Sequence, residues 1–194
     1  MLKVTLAWRA CPGHKSLLGP QGTGFLCICE GLNLKPLIEG GTGSKSELPE
    51  QPDFLPDRFE SGTLNTPGIA GLKAGIEFIN KKSIQKIKEH EDKLSEIFIN
   101  KIKEINRVRT YGPSSTKEKT AVASFNIEGK DPADIATALD QKYQIMVRVG
   151  LHCSPYAHKT IGTFPEGTIR VSFSIFNTIQ EIDYFIDSLK KIVG

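Results

Sequence analysis

Three short stretches of this 194-residue sequence place reactive or charged side chains where a packing pattern does not need them. The first is Gly13-His14-Lys15, followed by Leu18-Gly19-Pro20 and then by Gly22 and Gly24. A lone lysine is ordinarily a surface lysine, yet Lys15 sits between glycine-rich turns just ahead of an apolar run. A lysine amine in a desolvated pocket gives up its proton readily and condenses with an aldehyde. The second stretch is Arg58-Phe59-Glu60-Ser61-Gly62-Thr63-Leu64-Asn65-Thr66. Backbone amides near Gly62, the Thr63 hydroxyl and a helix start can together hold an anion such as phosphate. A plain turn followed by a helix cap accounts for the same residues.

The third stretch joins Arg148-Val149-Gly150-Leu151-His152-Cys153 to Gly167-Thr168-Ile169-Arg170-Val171-Ser172. Along a strand Arg170 falls on the side opposite Ile169, Val171 and Phe173. A guanidinium fixed there suits a bidentate grip on a carboxylate. Cys153 follows Gly150 in a loop, with His152 beside it and cations expected at Arg148 and His158, surroundings that favour a thiol as nucleophile. Taken singly, each is also a surface arginine or an ordinary loop cysteine; together in one short segment they point to a site.

Other readings fall away. Gly40-Gly41-Thr42-Gly43-Ser44-Lys45-Ser46 lacks the Gly-Lys-Ser/Thr order of a P-loop and does not lead from a strand into a helix. Cys11, Cys27, Cys29 and Cys153, even counted with His14 and His152, lack zinc spacing, so no metal is expected. Without a secretory signal the four are read as free thiols of a cytoplasmic protein. The apolar run Val4 to Trp8 is too short for a signal-peptide core or a membrane span. A net charge of +3 gives no nucleic-acid footprint, and 39% hydrophobic with 24% charged residues is the composition of a soluble globular chain.

The elements that must position these residues follow from periodicity. Residues 1–61 are turn-rich, with one buried strand at Phe25–Cys29 and a long irregular stretch from Gly40 to Phe59. Thr66 caps a helix with Pro67 at its first position, and Ile69, Leu72, Ile76 and Ile79 form its apolar face. A break at Lys81-Lys82-Ser83 separates it from a second helix whose face continues through Leu94, Phe98, Ile102 and Ile105. Residues 62–106 are thus linking helices, and 107–194 a small α+β domain. In that domain Ala121, Ala123, Phe125 and Ile127 share one strand face. Asp131-Pro132 opens a helix carrying Ile135, Leu139 and Tyr143. Strands follow at Ile145–Val149 and Thr168–Ser174. Thr178 and Glu181 form a capping box for a last helix with Ile182, Phe185, Ile186 and Leu189 inward. The sum is a small sheet covered by helices on one side.

As an ordered set, these motifs resemble those of the cysteine desulfurases and selenocysteine lyases of the class V aminotransferase superfamily, from about residue 12 to the end. The resemblance implies an α/β fold: the end of the large domain of a fold-type-I pyridoxal-phosphate transferase followed by its small C-terminal domain, the C-terminal half of such an enzyme. It further implies that Lys15 holds pyridoxal phosphate and moves the substrate α-proton, and that His14 contacts the cofactor phosphate. Gly62 and Thr63 would reach the phosphate of a partner subunit, making the intact enzyme a homodimer. Arg170, with Asn65, would bind the substrate, L-cysteine. Cys153 would take its sulfur as a persulfide, leaving alanine, and pass it to an acceptor protein of the kind that serves iron–sulfur cluster assembly. Selenocysteine lyase, another class V aminotransferase and a non-catalytic interaction module are the rivals. Two features depart from the pattern. Pro12 offers no hydroxyl where relatives carry Ser or Thr, and Lys15 stands near the start of the chain rather than the middle. The chain alone is therefore expected to be inactive.

Overall fold

Proline and glycine punctuate the first eighty residues so densely that only short pairings form before the first long helix. In the computed structural model, which describes residues 8–113 and 115–194, strand β1 (Trp8–Pro12) pairs antiparallel with β2 (Gly24–Ile28), Cys11 opposite Phe25 and Arg9 opposite Cys27. The apolar run that starts at Val4 lies, up to Trp8, outside the described residues. The stretch from Gly40 to Phe59 is irregular, as expected, but for a turn of 3-10 helix at Asp57–Phe59. Helix α1 (Thr66–Lys82) completes a first compact unit that ends at Lys82.

Three expectations are corrected in this unit. β1 is a second strand that the sequence reading lacked. β2 is not buried: Phe25, Leu26 and Cys27 are all exposed, because a two-stranded ribbon has no partner layer here to cover its faces. The inward face of α1 is made by Gly68, Leu72 and Gly75, while Ile69 is half exposed. The apolar periodicity pointed to the bulky residues, whereas the close packing is made by the small ones.

The second unit begins at Ser83, whose positive φ of 75° separates α1 from α2 (Ile84–Ile102) at the expected break. Strands β3 (Val108–Tyr111), β4 (Val122–Ile127), β5 (Arg148–Gly150) and β6 (Thr168–Ser172) form one antiparallel sheet in the order β3-β4-β6-β5. β3 and the short helix α4 (Pro155–Ile161) were not anticipated, and the strands at β5 and β6 are shorter than expected. Asp131 caps α3 (Pro132–Tyr143), accepting from the Ala133 N–H at 2.7 Å. The Thr178–Glu181 capping box starts α5 (Ile179–Val193), with Glu181 Oε2 accepting from the Thr178 N–H at 2.7 Å.

Alternation does the rest. Ala123, Phe125 and Ile127 of β4 and Ile169 and Val171 of β6 face one way and bury against Leu94, Phe98 and Ile102 of α2, Leu139 of α3 and Phe185 and Leu189 of α5. Phe98 is the hub, with ring centroids 5.2 Å from Phe173 and 5.4 Å from Phe185. Each such side chain taken from water contributes roughly 1.5–3 kcal/mol. Lys101 and Asp183 tie α2 to α5 at the half-exposed rim. The opposite face of β6 carries Thr168, Arg170 and Ser172, and there the chemistry gathers.

Candidate active site

In the first unit the turn bearing Lys15 is clamped from both sides. The Gly13 N–H donates to the Thr23 carbonyl at 2.7 Å, the Gly19 N–H to the Gly13 carbonyl at 2.8 Å, and the Leu18 N–H to the Lys15 carbonyl at 3.0 Å. Helix α1 supports the turn from beneath, and a Cβ at Gly75 would run into the Leu17 carbonyl. Lys15 and His14 project from this rigid turn and are exposed. Lys15 makes no ion pair among the described residues. Gly62 is fixed by donating its N–H to the Gly41 carbonyl at 2.9 Å, and the neighbouring Thr63 is exposed. Asn65 proves to be the cap of α1: its Oδ1 accepts from the Gly68 N–H at 3.1 Å, the role expected of Thr66. An amide side chain satisfies that donor as well as a hydroxyl does.

In the second unit, Arg148 on β5 stands directly opposite Arg170 on β6. Like charges facing each other across a sheet are unfavourable unless something between them is negative. Arg148 donates from Nη2 to Cys153 Sγ at 3.4 Å, and Cys153 is exposed. The Arg170 Nε is buried and has no acceptor among the described residues. Arg170 thus points away from the core, as its place in the strand required. The sheet therefore sets the Cys153 sulfur beside Arg148, and places Arg170, with its unmet donor, across the strand pair from Arg148.

Backbone conformation brings the sulfur there. His152 and Cys153 are consecutive left-handed residues, with φ of 50° and 61°. Such residues cost about 1–2 kcal/mol each and persist where surrounding contacts hold them. His152 shares a hydrogen bond of 3.2 Å between its Nε2 and the fully buried Thr168 hydroxyl. Its Nδ1 is buried without a partner among the described residues. Burial holds the His152 pKa below the ordinary histidine range, and the Arg170 guanidinium and His158 add to this, with Arg148 a lesser cause; the contact at Thr168 acts in the opposite sense. His158, expected from its position to face the sulfur, packs inward instead. It is buried, with Nδ1 2.7 Å from the Thr163 hydroxyl. Glycine makes the crossing possible at Gly167, where a Cβ would land on the Gly150 backbone.

Sequence reasoning missed the Arg148–Arg170 register and the buried threonines, because both depend on strand pairing that no single segment displays. Ser154-Pro155 and Gly162, which bracket α4, were a readable helix start and stop. Among the described residues no group of three or more His, Cys, Asp or Glu could hold a metal, and no helix is long and apolar enough to cross a membrane. For pyridoxal phosphate the donor chemistry fits: an exposed primary amine without an ion-pair partner on a clamped turn, with an imidazole next to it.

The aminotransferase class-V family model matches residues 8–185. A probable cysteine desulfurase of Methanothermobacter thermautotrophicus is 37% identical over 191 residues, covering 95% of this chain and 47% of that protein. One from Pyrococcus abyssi is 36% identical over 198 residues, covering 98% and 48%. The apo structure of a cysteine desulfurase from Thermococcus onnurineus NA1 superposes with a TM-score of 0.85 at 35% identity, over 96% of this chain and 47% of that one. The chain thus has the α/β fold of these enzymes and spans about half the length of the curated relatives it matches.

Proposed function

The chain belongs to the class-V aminotransferase family, and from that premise we propose that it carries the lysine turn and the sulfur-accepting loop of a pyridoxal-phosphate-dependent cysteine desulfurase. The observation that carries the reading is the Cys153 sulfur held 3.4 Å from Arg148, whose cross-strand partner is Arg170. An amino acid whose carboxylate is gripped by Arg170 presents its side chain within the neighbourhood of that sulfur.

Lys15 would hold the cofactor through its Nζ, His14 would meet the cofactor phosphate, and Gly62 with Thr63 would serve the phosphate of a second subunit. When bound, pyridoxal phosphate supplies the electron sink that labilises the substrate's α-proton and its carbon–sulfur bond. Lys15 Nζ moves the α-proton. Arg170 fixes the carboxylate by paired, charge-assisted bonds, and Asn65, beyond capping α1, belongs to the substrate side. The Cys153 thiolate attacks the substrate sulfur: a sulfur–sulfur bond forms and the carbon–sulfur bond breaks. The electron pair stays with the three-carbon skeleton, which takes up protons and leaves as alanine. Cys153 retains the persulfide for a sulfur-acceptor protein.

Taken as an isolated polypeptide, these 194 residues neither hold the cofactor stably nor desulfurise cysteine. Lys15 and the faces of β2 are open to water, so the turn by itself would give the cofactor little shelter from solvent. The test is an absorbance titration with pyridoxal phosphate, borohydride trapping at Lys15 and an alanine assay. Saturable trapping with catalytic alanine release by this polypeptide alone would overturn that part of the reading. In the complete enzyme, alanine and a Cys153 persulfide are the expected products. Alanine release that survives Cys153→Ala with no bound sulfur would favour a selenocysteine-lyase-like or other class V reading. An absence of cofactor chemistry even there would favour an interaction module.

A further inference from the structure

Helix α4 begins two residues after Cys153 and is only seven residues long. Its N-cap Ser154 makes no side-chain capping bond. Tyr156 and Ile161 are exposed, and His158 is the one buried residue of the helix. The element that carries the chain away from the sulfur thus buries one side chain, and that side chain is polar.

His158 meets two partners. Its Nδ1 lies 2.7 Å from the Thr163 hydroxyl, itself buried, and its ring centroid lies 5.6 Å from that of His152 at an interplanar angle of 51°. The chain closes around it: the His158 N–H donates to the Ser154 carbonyl at 3.3 Å, and the Thr163 N–H to the His158 carbonyl at 2.9 Å. The Gly167 N–H then donates to the Thr163 carbonyl at 2.7 Å, which leads straight into Thr168, the hydroxyl that holds His152. Two imidazole–threonine pairs thus lie side by side, one under the helix after Cys153 and one in the residue before it.

We infer that His158, through Thr163 and the ring of His152, is the positioning residue that keeps the left-handed His152-Cys153 turn in place and so keeps the Cys153 sulfur within reach of Arg148. An apolar residue of like size could fill the volume but not bind the Thr163 hydroxyl, which would be left buried and unmet. Asparagine can present an amide atom near the Nδ1 position, and serine retains the hydroxyl. The proposal rests on Cys153 as the sulfur carrier, while its test reads thiol reactivity and so stands or falls apart from that reading.

The experiment measures iodoacetamide alkylation of Cys153 in the 194-residue protein, with exposed Cys27 of the same molecule as internal reference, in a double-mutant cycle with Arg148→Ala. In the parent, Arg148→Ala should change the Cys153 rate by about threefold or more; in His158→Leu and in Thr163→Val the same change should nearly vanish. His158→Asn and Thr163→Ser should restore it. Loss of stability alone would lower the unfolding midpoint and leave the Arg148 dependence intact. An undiminished Arg148 effect in folded His158→Leu, or in the nearly isosteric Thr163→Val should the former not fold, would overturn the proposal. So would the absence of any Arg148 effect in the parent.

Discussion

The Arg148 guanidinium donates to the Cys153 sulfur at 3.4 Å, reaching from the first residue of β5 to the loop that follows the strand. Arg148 is fixed by its pairing with β6, so the strand register sets the donor that the loop brings the sulfur to meet. In the complete enzyme, Arg148→Ala should slow persulfide formation on Cys153 by about tenfold, the equivalent of one charge-assisted bond of roughly 1.5 kcal/mol. Cofactor absorbance should be unchanged. Single-turnover transfer of labelled sulfur measures it, and a parental rate would show the contact to be incidental.

Arg170 offers a separable effect. Its Nε is buried without an acceptor, so a carboxylate arriving there satisfies a donor already desolvated. Arg170→Ala should weaken cysteine binding by roughly 1.5–3 kcal/mol. Arg170→Lys should recover only part of this, because an ammonium cannot make the paired contact. Equal dissociation constants for the three proteins would make Arg170 a structural residue.

The lysine turn depends on a glycine of the helix behind it. Gly75→Ala adds a Cβ against the Leu17 carbonyl and should cost about 1–3 kcal/mol by overpacking, despite alanine's better helix propensity. The adjacent Ala74 is exposed, so Ala74→Ser should be nearly neutral and serves as the control. Urea unfolding compares the two, and a stabilised Gly75→Ala would mean that the turn is free to shift.

His152 gives the second unit an acid-side weakness. Its folded pKa lies below the ordinary value of 6.5, chiefly through burial. The unfolded chain therefore binds the proton first, and stability falls as the pH drops from about 6.5 toward the lower folded value, with the loss complete below it. The loss between neutral pH and this window should be smaller in His152→Asn, followed by urea midpoints at matched ionic strength. A parallel pH dependence in the two proteins would contradict the assignment.

How far the sequence could be read depended on the range of the interactions involved. Alternation in Ala123-Ser124-Phe125-Asn126-Ile127 and the Thr178–Glu181 box are local signals, and both features stand in the structure as expected. Arg170's side of its strand followed from the same rule. The hairpin of β1 with β2 was legible in one strand only, because Trp8–Pro12 ends in proline and shows no alternation. The packing face of α1 went unread because Gly68 and Gly75 carry no hydrophobic signal, though they make its tightest approach. His158 was expected to face the thiol; its burial and its bond to Thr163 turn it inward, a matter of tertiary contact that spacing does not reveal.

Whether Cys153 receives the sulfur is open to one direct measurement. The direct measurement is mass analysis of the Cys153 peptide after the complete, cofactor-loaded enzyme meets one equivalent of L-cysteine without acceptor. The expected result is one added sulfur on Cys153, removable by a thiol reductant, in step with alanine release and absent in Cys153→Ala. Alanine formed at the parental rate with Cys153 unmodified, or sulfur found on Cys11, Cys27 or Cys29 instead, would contradict it.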